Sequence, residues 1–445
     1  MDEASERKQR VIDQCRELEV ATICLWFTDV LGRVKNLEIS PRDLPEALAE
    51  GVGFDGSSVE GFARIEESDM VALPDASTFA VLPWRSGEYP VARMICDIVN
   101  PDGSPYASDP RYALRRMIEK ARGMGYDFYI GPELEFFYFN AGSGPPEGLD
   151  RVGYFDLTPQ NVCVELRRET VRVLECMGIA VEAAHHEVAA SQHEIDLRYD
   201  EALRMADHTV TYRVAVKQVA ARHGVYATFM PKPLFGSNGS GMHVHQSLFR
   251  GTTNAFFDPD DPYHLSREAR QFGAGLMKYA PEMCAVIAQT VNSYKRLVPG
   301  FEAPCYICWG RRNRSAMLRV PVYKPGNERA TRVEFRAPDP ACNPYLAYTV
   351  MLAAGLQGIE DELTIPDPVE RDVYALTPEE RHALHIESLP RDLGHAIDYC
   401  ERSPLVMKAL GEDIFEKFVA NKKIEWDEYR VQVTGYELER YLPVL

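Results

Sequence analysis

Hydrophobic positions along the chain fall into short runs of period two and longer runs of helical period. Residues 21–28 read as a strand, 29–33 as a turn, and 34–39 as the returning strand of a hairpin. Before them, residues 1–18 mix acids and bases and read as an exposed helix. Ser40 and Pro41 predict the cap and first position of a short helix. The small-residue loop Gly53-Phe54-Asp55-Gly56-Ser57-Ser58 follows, and residues 91–99 read as the last strand of a β-rich domain over 15–100. The breaker-rich Asn100-Pro101-Asp102-Gly103-Ser104-Pro105 marks the joint to a second domain over 106–445.

That domain opens on a helix capped by Ser108 or Asp109, with Pro110 first and Ala113, Leu114, Met117, Ile118 and Ala121 as its apolar stripe. A strand over 128–139 then carries Gly131-Pro132-Glu133-Leu134-Glu135-Phe136-Phe137. Strands send residues i and i+2 to one face, so Glu133 and Glu135 point one way and Leu134 and Phe136 the other. Two like charges in an apolar strand repel and resist losing water, which calls for a cation between or above them.

A helix over 163–177 precedes strands holding His185-His186-Glu187 and Gln192-His193-Glu194-Ile195-Asp196. Glu187 and Glu194 are an odd number apart, so both can face one site only if Ala189-Ala190-Ser191 supplies a turn or bulge. A helix over 200–222 and a strand over 225–230 lead to the loop Phe235-Gly236-Ser237-Asn238-Gly239-Ser240-Gly241. The loop delivers Met242-His243-Val244-His245-Gln246-Ser247-Leu248, whose two histidines share a face. After a helix at 266–279, strands are expected near 305–309, 317–322 and 332–336. The last sets Arg332, Glu334 and Arg336 on one face and Val333 and Phe335 on the other. Residues 343–358 read as a buried helix. From about 376 the chain reads as short helices ending on an apolar tail, Tyr441 to Leu445, expected to dock on its own subunit or a neighbour.

A chain of 445 residues can bury a large core in two or three domains. Its formal charge of -18 argues against nucleic acid as a standing partner, but leaves room for nucleotides held by local arginines. No apolar stretch approaches the roughly 18 residues of a membrane span, and the N-terminus lacks a signal-peptide pattern. Ten scattered cysteines in a chain too large to need staples point to reduced thiols and a cytoplasmic protein.

Glu133, Glu135, Glu187, Glu194, Glu334 and His243 thus stand on strands dense in apolar residues, where carboxylates are hard to explain without cations. Oxygen-rich donors with one imidazole suit Mg²⁺ or Mn²⁺, whereas Zn²⁺ would prefer thiolates or more histidine. Cys305 and Cys308 have no second pair and face opposite ways in a strand, so they are not read as a metal or redox site. Around the acids lies a crowd of guanidinium groups: Arg296, Arg311, Arg312, Arg314, Arg319, Arg329, Arg332 and Arg336. In so acidic a chain they imply anionic ligands, carboxylates or phosphates. Divalent ions with arginines suggest phosphoryl transfer from a nucleotide, although no P-loop motif is present.

These segments together resemble the type I glutamine synthetase family of bacteria and archaea. The resemblance is carried by Phe54-Asp55-Gly56-Ser57-Ser58, Glu67-Ser68-Asp69-Met70, the Glu133 and Glu135 strand, His185 to Ala189, Asn238 to His243, Asn292 to Gly300, Asn313-Arg314-Ser315 and Asn343-Pro344-Tyr345. It implies an α+β fold: an N-terminal β-grasp domain plus a C-terminal catalytic domain with a curved antiparallel sheet flanked by helices. It also implies a dodecamer of two hexameric rings, with sites formed between neighbouring subunits. By motif, Glu135, Glu187 and Glu194 would hold the ion nearer L-glutamate, and Glu133, His243 and Glu334 the ion at the ATP phosphates. Arg296 and Arg336 would grip glutamate, with Asn238 and Gly239 at its amino-acid end. Glu182, Tyr199, His245, Gln246, Ser247, Arg319 and Arg332 would line the nucleotide site, Tyr199 stacking on adenine. Arg314 would touch the transferring phosphate. Asp55 and Ser58 would serve the ammonium site of the next subunit, and Glu302 would sit on a flap that shields the intermediate.

The sequence departs from the family pattern in places. Leu134 replaces a proline, the 322–331 loop is longer than in some relatives, and the residues after Tyr374 differ from those that follow a modified tyrosine elsewhere. Residues 61–67, with Arg64, resemble the feedback-inhibited branch. Two other readings are a γ-glutamyl ligase for another amine, such as a polyamine or ethanolamine, and a non-catalytic relative. The first would lose Asp55, Ser58 or Glu302 and the second its metal glutamates, yet all are present.

Overall fold

The computed structural model describes residues 3–59, 69–142, 144–156 and 162–445. The Arg64 segment and the Glu67-Ser68 pair lie outside the described residues, as does the side chain of Ser58.

Helix α1 (Glu3–Glu17) precedes β1 (Thr22–Thr28) and β2 (Val34–Ile39), then α2 (Leu44–Glu50), β3 (Val52–Asp55), β4 (Asp69–Val81) and β5 (Val91–Val99). The strands form one sheet in the order β2-β1-β5-β4-β3, with only β1 and β5 parallel. Helix α2 starts three residues later than Ser40 and Pro41 suggest. A helix begun at Pro41 would drive the ring of Pro45 into the Pro41 carbonyl and leave that carbonyl unbonded. Ser40 instead caps a turn, its Oγ accepting from Arg42 N at 3.3 Å.

The rest of the chain supplies α3 (Pro110–Gly123), β6 (Asp127–Asn140), α4 (Val162–Cys176), β7 (Val181–His186), β8 (Gln192–Leu197), β9 (Asp200–Glu201), α5 (Ala202–Arg222) and β10 (Val225–Thr228). Then come β11 (Met242–Arg250), β12 (Thr253–Asn254), α6 (Arg267–Ile287), α7 (Ser293–Arg296), β13 (Trp309–Gly310), β14 (Leu318–Arg319), β15 (Val333–Phe335) and α8 (Pro344–Glu360). The second sheet runs β13-β14-β15-β11-β6-β8-β7, with β9 and β10 also on β6 and β12 on β11. It is antiparallel except between β13 and β14. The strands near 305, 317 and 332 are shorter than the pattern suggests. Helix α6 runs past Pro281, because Met283, Cys284, Val286 and Ile287 are fully buried and hold the added turns in place. The final helices are α9 (Pro378–Ala383), α10 (Leu393–Glu401), α11 (Pro404–Leu410), α12 (Glu412–Arg430) and α13 (Gly435–Tyr441). Of these α12, with 19 residues, is not short. Among the described residues, no helix is long and apolar enough to cross a membrane. The tail is not docked on its own chain, since Leu442, Val444 and Leu445 are exposed.

One face of the second sheet is apolar. Leu134, Phe136, Val244 and Phe335 are fully buried in the continuous core, and Tyr212 of α5 donates to the Leu134 carbonyl at 3.1 Å. The two domains meet through buried polar groups. Arg111 on α3 donates to Asp97 on β5 at 2.6 Å, to Asp75 on β4 at 2.8 Å and to Asp207 on α5 at 2.9 and 3.1 Å. Asn343, the cap of α8, donates to the carbonyls of Asp29 and Val30 in the β1–β2 turn. Gly32 belongs there on two counts: its φ is +83°, and a Cβ would stand 2.9 Å from Asn343 Cα.

Candidate active site

The opposite face of the second sheet carries the chemistry, and strand register assembles it. On β6, Glu133 pairs with His243 of β11 and with Asp196 of β8, and Glu135 pairs with Glu194 of β8. On β11, His245 pairs with Glu334 of β15, and on β7 His185 pairs with Glu194. Residues directly opposite one another in an antiparallel ladder share a face, so each pairing adds a polar side chain to one surface. The resulting cleft, of about 210 Å³, is lined by Glu133, Glu135, Glu187, Glu194, His243 and Glu334, and by Asn238, Gly239, Arg296, Glu302, Arg314, Arg319 and Arg336.

The odd spacing of Glu187 and Glu194 is resolved by a tight turn. Strands β7 and β8 form a hairpin, and Glu187 N donates to Gln192 O at 2.8 Å just past the last ladder pair. Ser191 in the turn takes φ +61°, a backbone that few non-glycine residues adopt. Across the hairpin Glu187 therefore shares its face with His185 and Glu194. His185 lies 3.6 Å from the Glu187 carboxylate and 3.3 Å from that of Glu194.

Two of the carboxylates are held by nitrogen donors of their own. Glu133 receives His245 Nε2 at 2.6 Å and His243 Nδ1 at 3.4 Å. Burial opposes its ionisation, but the two imidazoles outweigh that and hold it well below the usual range. Glu334 lies between Arg319 and Arg336, the latter at 2.6 Å. Burial would raise it too, but the guanidinium of Arg336 brings it down to about 2.

The others lack such relief. Burial, with Glu187 adding, pushes Glu135 up to about 8, although Gly241 N and Gln192 Nε2 both donate to it. Asp196 is pushed to about 8 by burial and Glu133, and Glu194 is raised well above the ordinary range by burial and Glu135. Glu194 Oε1 and Asp196 Oδ1 are buried without a hydrogen-bond partner. Donor atoms of Glu133, Glu194 and His243 lie within 4.8 Å of one another, as do those of His185, Glu187 and Glu194. Orphaned carboxylate oxygens with one or two imidazoles fit the donor set of Mg²⁺ or Mn²⁺.

The rim is basic and made partly of backbone. Arg296 is fully buried, its guanidinium donating to the carbonyls of Arg336, Ala337 and Pro338. Gly241 allows its close approach, since a Cβ there would stand 2.5 Å from Arg296 Nη2. Glu302 takes φ +57°; beside it Phe301 lies under Lys232 Nζ at 3.7 Å, and the Ala303 carbonyl accepts from the Tyr374 hydroxyl.

Toward the far end of the same strands, Arg332 Nε donates to His245 Nδ1 at 3.0 Å, and Ser247 pairs with Tyr129. Tyr199, half-exposed, packs edge-on against Tyr129 at 6.0 Å, and Glu182 is exposed on β7. Gln246 is a correction. One step from His245 on a strand, it points to the opposite face, where its amide meets Met351 of α8 at 3.6 Å. It cannot line a nucleotide site on the cleft side. Asp55 is exposed at the end of β3, accepting from Ser57 N, and is not among the described residues that line the cleft of this chain.

His185, Gln192, Asp196 and Tyr154 also line the cleft and were not among the expected site residues. The two-residue period that links Glu133 to Glu135 also links Gln192, Glu194 and Asp196, and His185 to Glu187, so three of the four were legible.

The family model for the glutamine synthetase catalytic domain matches residues 107–441, and that for the glutamine synthetase beta-Grasp domain matches residues 19–101. The glutamine synthetase of Thermotoga maritima is 53% identical over 437 residues, 98% of each chain. That of Mycolicibacterium smegmatis is 51% identical over 441 residues, 98% of this chain and 99% of the other. A cryo-EM structure of Plasmodium falciparum glutamine synthetase matches at a TM-score of 0.90 and 25% identity, covering 99% of both chains. The first sheet is thus a β-grasp domain, the second the curled sheet of an α+β catalytic domain, and the chain belongs to the glutamine synthetase family.

Proposed function

We propose that the chain ligates ammonia to L-glutamate, giving L-glutamine while ATP is converted to ADP and phosphate. The observation that carries the reading is one cleft in which five glutamates and His243 meet Arg296, Arg314, Arg319 and Arg336. Close, near full-length likeness to glutamine synthetases supports it. On this reading residues 15–100 and 106–445 act as separate domains of one catalyst.

Glu135, Glu187 and Glu194 would hold one divalent ion, and Glu133, His243 and Glu334 a second. Mg²⁺ or Mn²⁺ there supplies positive charge between two anions that would otherwise repel. Arg296 and Arg336, with Asn238 and Gly239, orient glutamate so that its γ-carboxylate faces the nucleotide. Glu182, Tyr199, His245, Ser247 and Arg332 hold the nucleotide, and Arg314 and Arg319 offset charge on its phosphates. A γ-carboxylate oxygen attacks the terminal phosphorus, the bond to the bridging oxygen breaks, and ADP leaves γ-glutamyl phosphate. Ammonia then attacks the acyl carbon of that phosphate, the C–O bond to phosphate breaks, and the amide is left. Glu302 closes over the acyl phosphate and keeps water away. Asp55 and Ser58 of a neighbouring subunit favour ammonium and take its proton. This arrangement requires an assembly, and the family resemblance supports a cytoplasmic dodecamer of two hexameric rings, with the exposed tail reaching between rings.

Phosphate release dependent on ATP and glutamate, measured across a panel of amines with Mg²⁺ or Mn²⁺, tests the reading. Ammonium should support turnover with one glutamine per phosphate. Turnover with an alkylamine but not ammonium would overturn it in favour of another γ-glutamyl ligase.

A further inference from the structure

Behind the metal-site hairpin, on the face away from the cleft, lies a buried polar cluster that the reaction above does not use. Residues 144–156 pass beneath the β7–β8 turn. Asp150 Oδ1 accepts from Ser191 N at 2.7 Å and lies 3.2 Å from His186 Nε2, while Asp150 N donates to Ser191 Oγ at 2.9 Å. Phe155 N adds a bond to His186 O at 3.2 Å. The side chains of Asp150 and His186 are 8% and 2% exposed. Gly148 lets the strap lie close, because a Cβ there would stand 2.7 Å from Ser191 Oγ.

Asp150 also comes within 4.8 Å of Cys163 and His193, a set that could hold an ion. Its surroundings argue against one. Its carboxylate is already bonded to Ser191 and His186, and Arg167 lies 2.8 Å from His193 Nδ1, placing a positive charge where a cation would sit. What the cluster does touch is the turn itself. Ser191 is held at φ +61°, and His186 immediately precedes Glu187. Both contacts fall on the segment that turns an odd sequence spacing into a shared face.

We propose that Asp150 is a positioning residue for the metal-binding hairpin: by holding Ser191 and His186 from behind, it fixes the turn that presents Glu187 and Glu194 together to the cleft. The inference rests on the reading of those two glutamates as metal ligands and names what sets their geometry. An aspartate suits the task because one compact anion accepts from a backbone N–H and an imidazole at once.

The test is a titration of the metal-depleted assembled enzyme with Mn²⁺, following free Mn²⁺ by electron paramagnetic resonance so that each class of site is resolved. Asp150→Ala should weaken one class by about tenfold or more, the range for lost outer-shell support. It should leave the class held by Glu133, His243 and Glu334 within about twofold. Asp150→Asn should fall between, since its amide can still accept from Ser191 N. Ser191→Gly, which tolerates the backbone but lacks Oγ, should show a smaller loss in the same class and keeps the test open if Asp150→Ala folds poorly. Unchanged binding in these variants, while Glu194→Gln abolishes one class, overturns the inference alone. An equal loss in both classes with a lowered thermal midpoint also overturns it, as a merely structural role. Binding indifferent to Glu194→Gln overturns the ligand reading itself.

Discussion

Arg336 Nη1 lies 2.6 Å from Glu334 Oε1, in a pair almost shut off from solvent. Arg319 closes on the other oxygen of the same carboxylate. A carboxylate held ionised in so dry a place is a fixed negative charge at the centre of the cleft. Glu334→Gln keeps the shape and removes the charge. Glutamine formation should fall by at least about a hundredfold, as when a preorganised electrostatic group is lost. The oligomer should stay intact by size-exclusion chromatography. A Glu334→Gln enzyme with near wild-type turnover would remove the residue from the metal shell.

The domain seam rests on one arginine. Arg111 is buried and serves three aspartates from three different elements. Arg111→Met keeps the aliphatic stem but leaves those carboxylates facing one another. The cost should be about 3–5 kcal/mol, the range for breaking a buried pair from one side. Hydrogen exchange should reveal where it is lost: β4 and β5 amides should speed up before those of α8. Uniform acceleration across the chain would show that the clasp is not local to the seam.

Tyr374 touches the closing segment. Its hydroxyl donates to the Ala303 carbonyl, next to Glu302. Tyr374→Phe removes one hydrogen bond, worth about 1 kcal/mol, and should loosen the cover over the acyl phosphate. ATP consumption should change little while glutamine formed per ATP drops below one, as water reaches the intermediate. Strict coupling in the variant, by parallel assays of ADP and glutamine, would free Tyr374 from this role.

His208 on α5 lies among Asp207, Asp200, Arg93 and Arg204. Burial, the largest influence, holds its pKa down to about 4, against 6.5 in an unfolded chain. Between those values the unfolded chain takes a proton that the folded chain refuses, so stability is lost as pH falls through that window. His208→Gln has no proton to take. Its thermal midpoint relative to wild type should rise as pH drops from 6.5 to 4 and stay level above 7. A constant offset across the range would contradict the assignment.

Much of the site was legible because strands convert spacing into direction. Glu133 with Glu135, and Arg332, Glu334 and Arg336, needed only a period of two. The same rule, applied strictly, would have excluded Gln246, whose side chain lies on the α8 side. Glu187 and Glu194 were harder, since their common face depends on a turn whose geometry comes from Asp150, some forty positions upstream. His185 stands two residues before Glu187 and so was open to the same rule, although it reaches Glu194 only through β7–β8 pairing. Local signals also failed where a later residue decided the outcome: Pro45 displaced the helix expected at Ser40, and buried apolar side chains carried α6 through Pro281.

Asp55 ends an exposed strand and has no place on the cleft of its own chain. A lesion there therefore need not disable the polypeptide that bears it. Subunits crippled at Asp55 and subunits crippled at Glu334, each inert when alone, would regain activity once co-assembled, because some junctions would draw both halves from undamaged parents. Inheritance of function in this protein would then follow the boundaries between chains rather than the chains themselves.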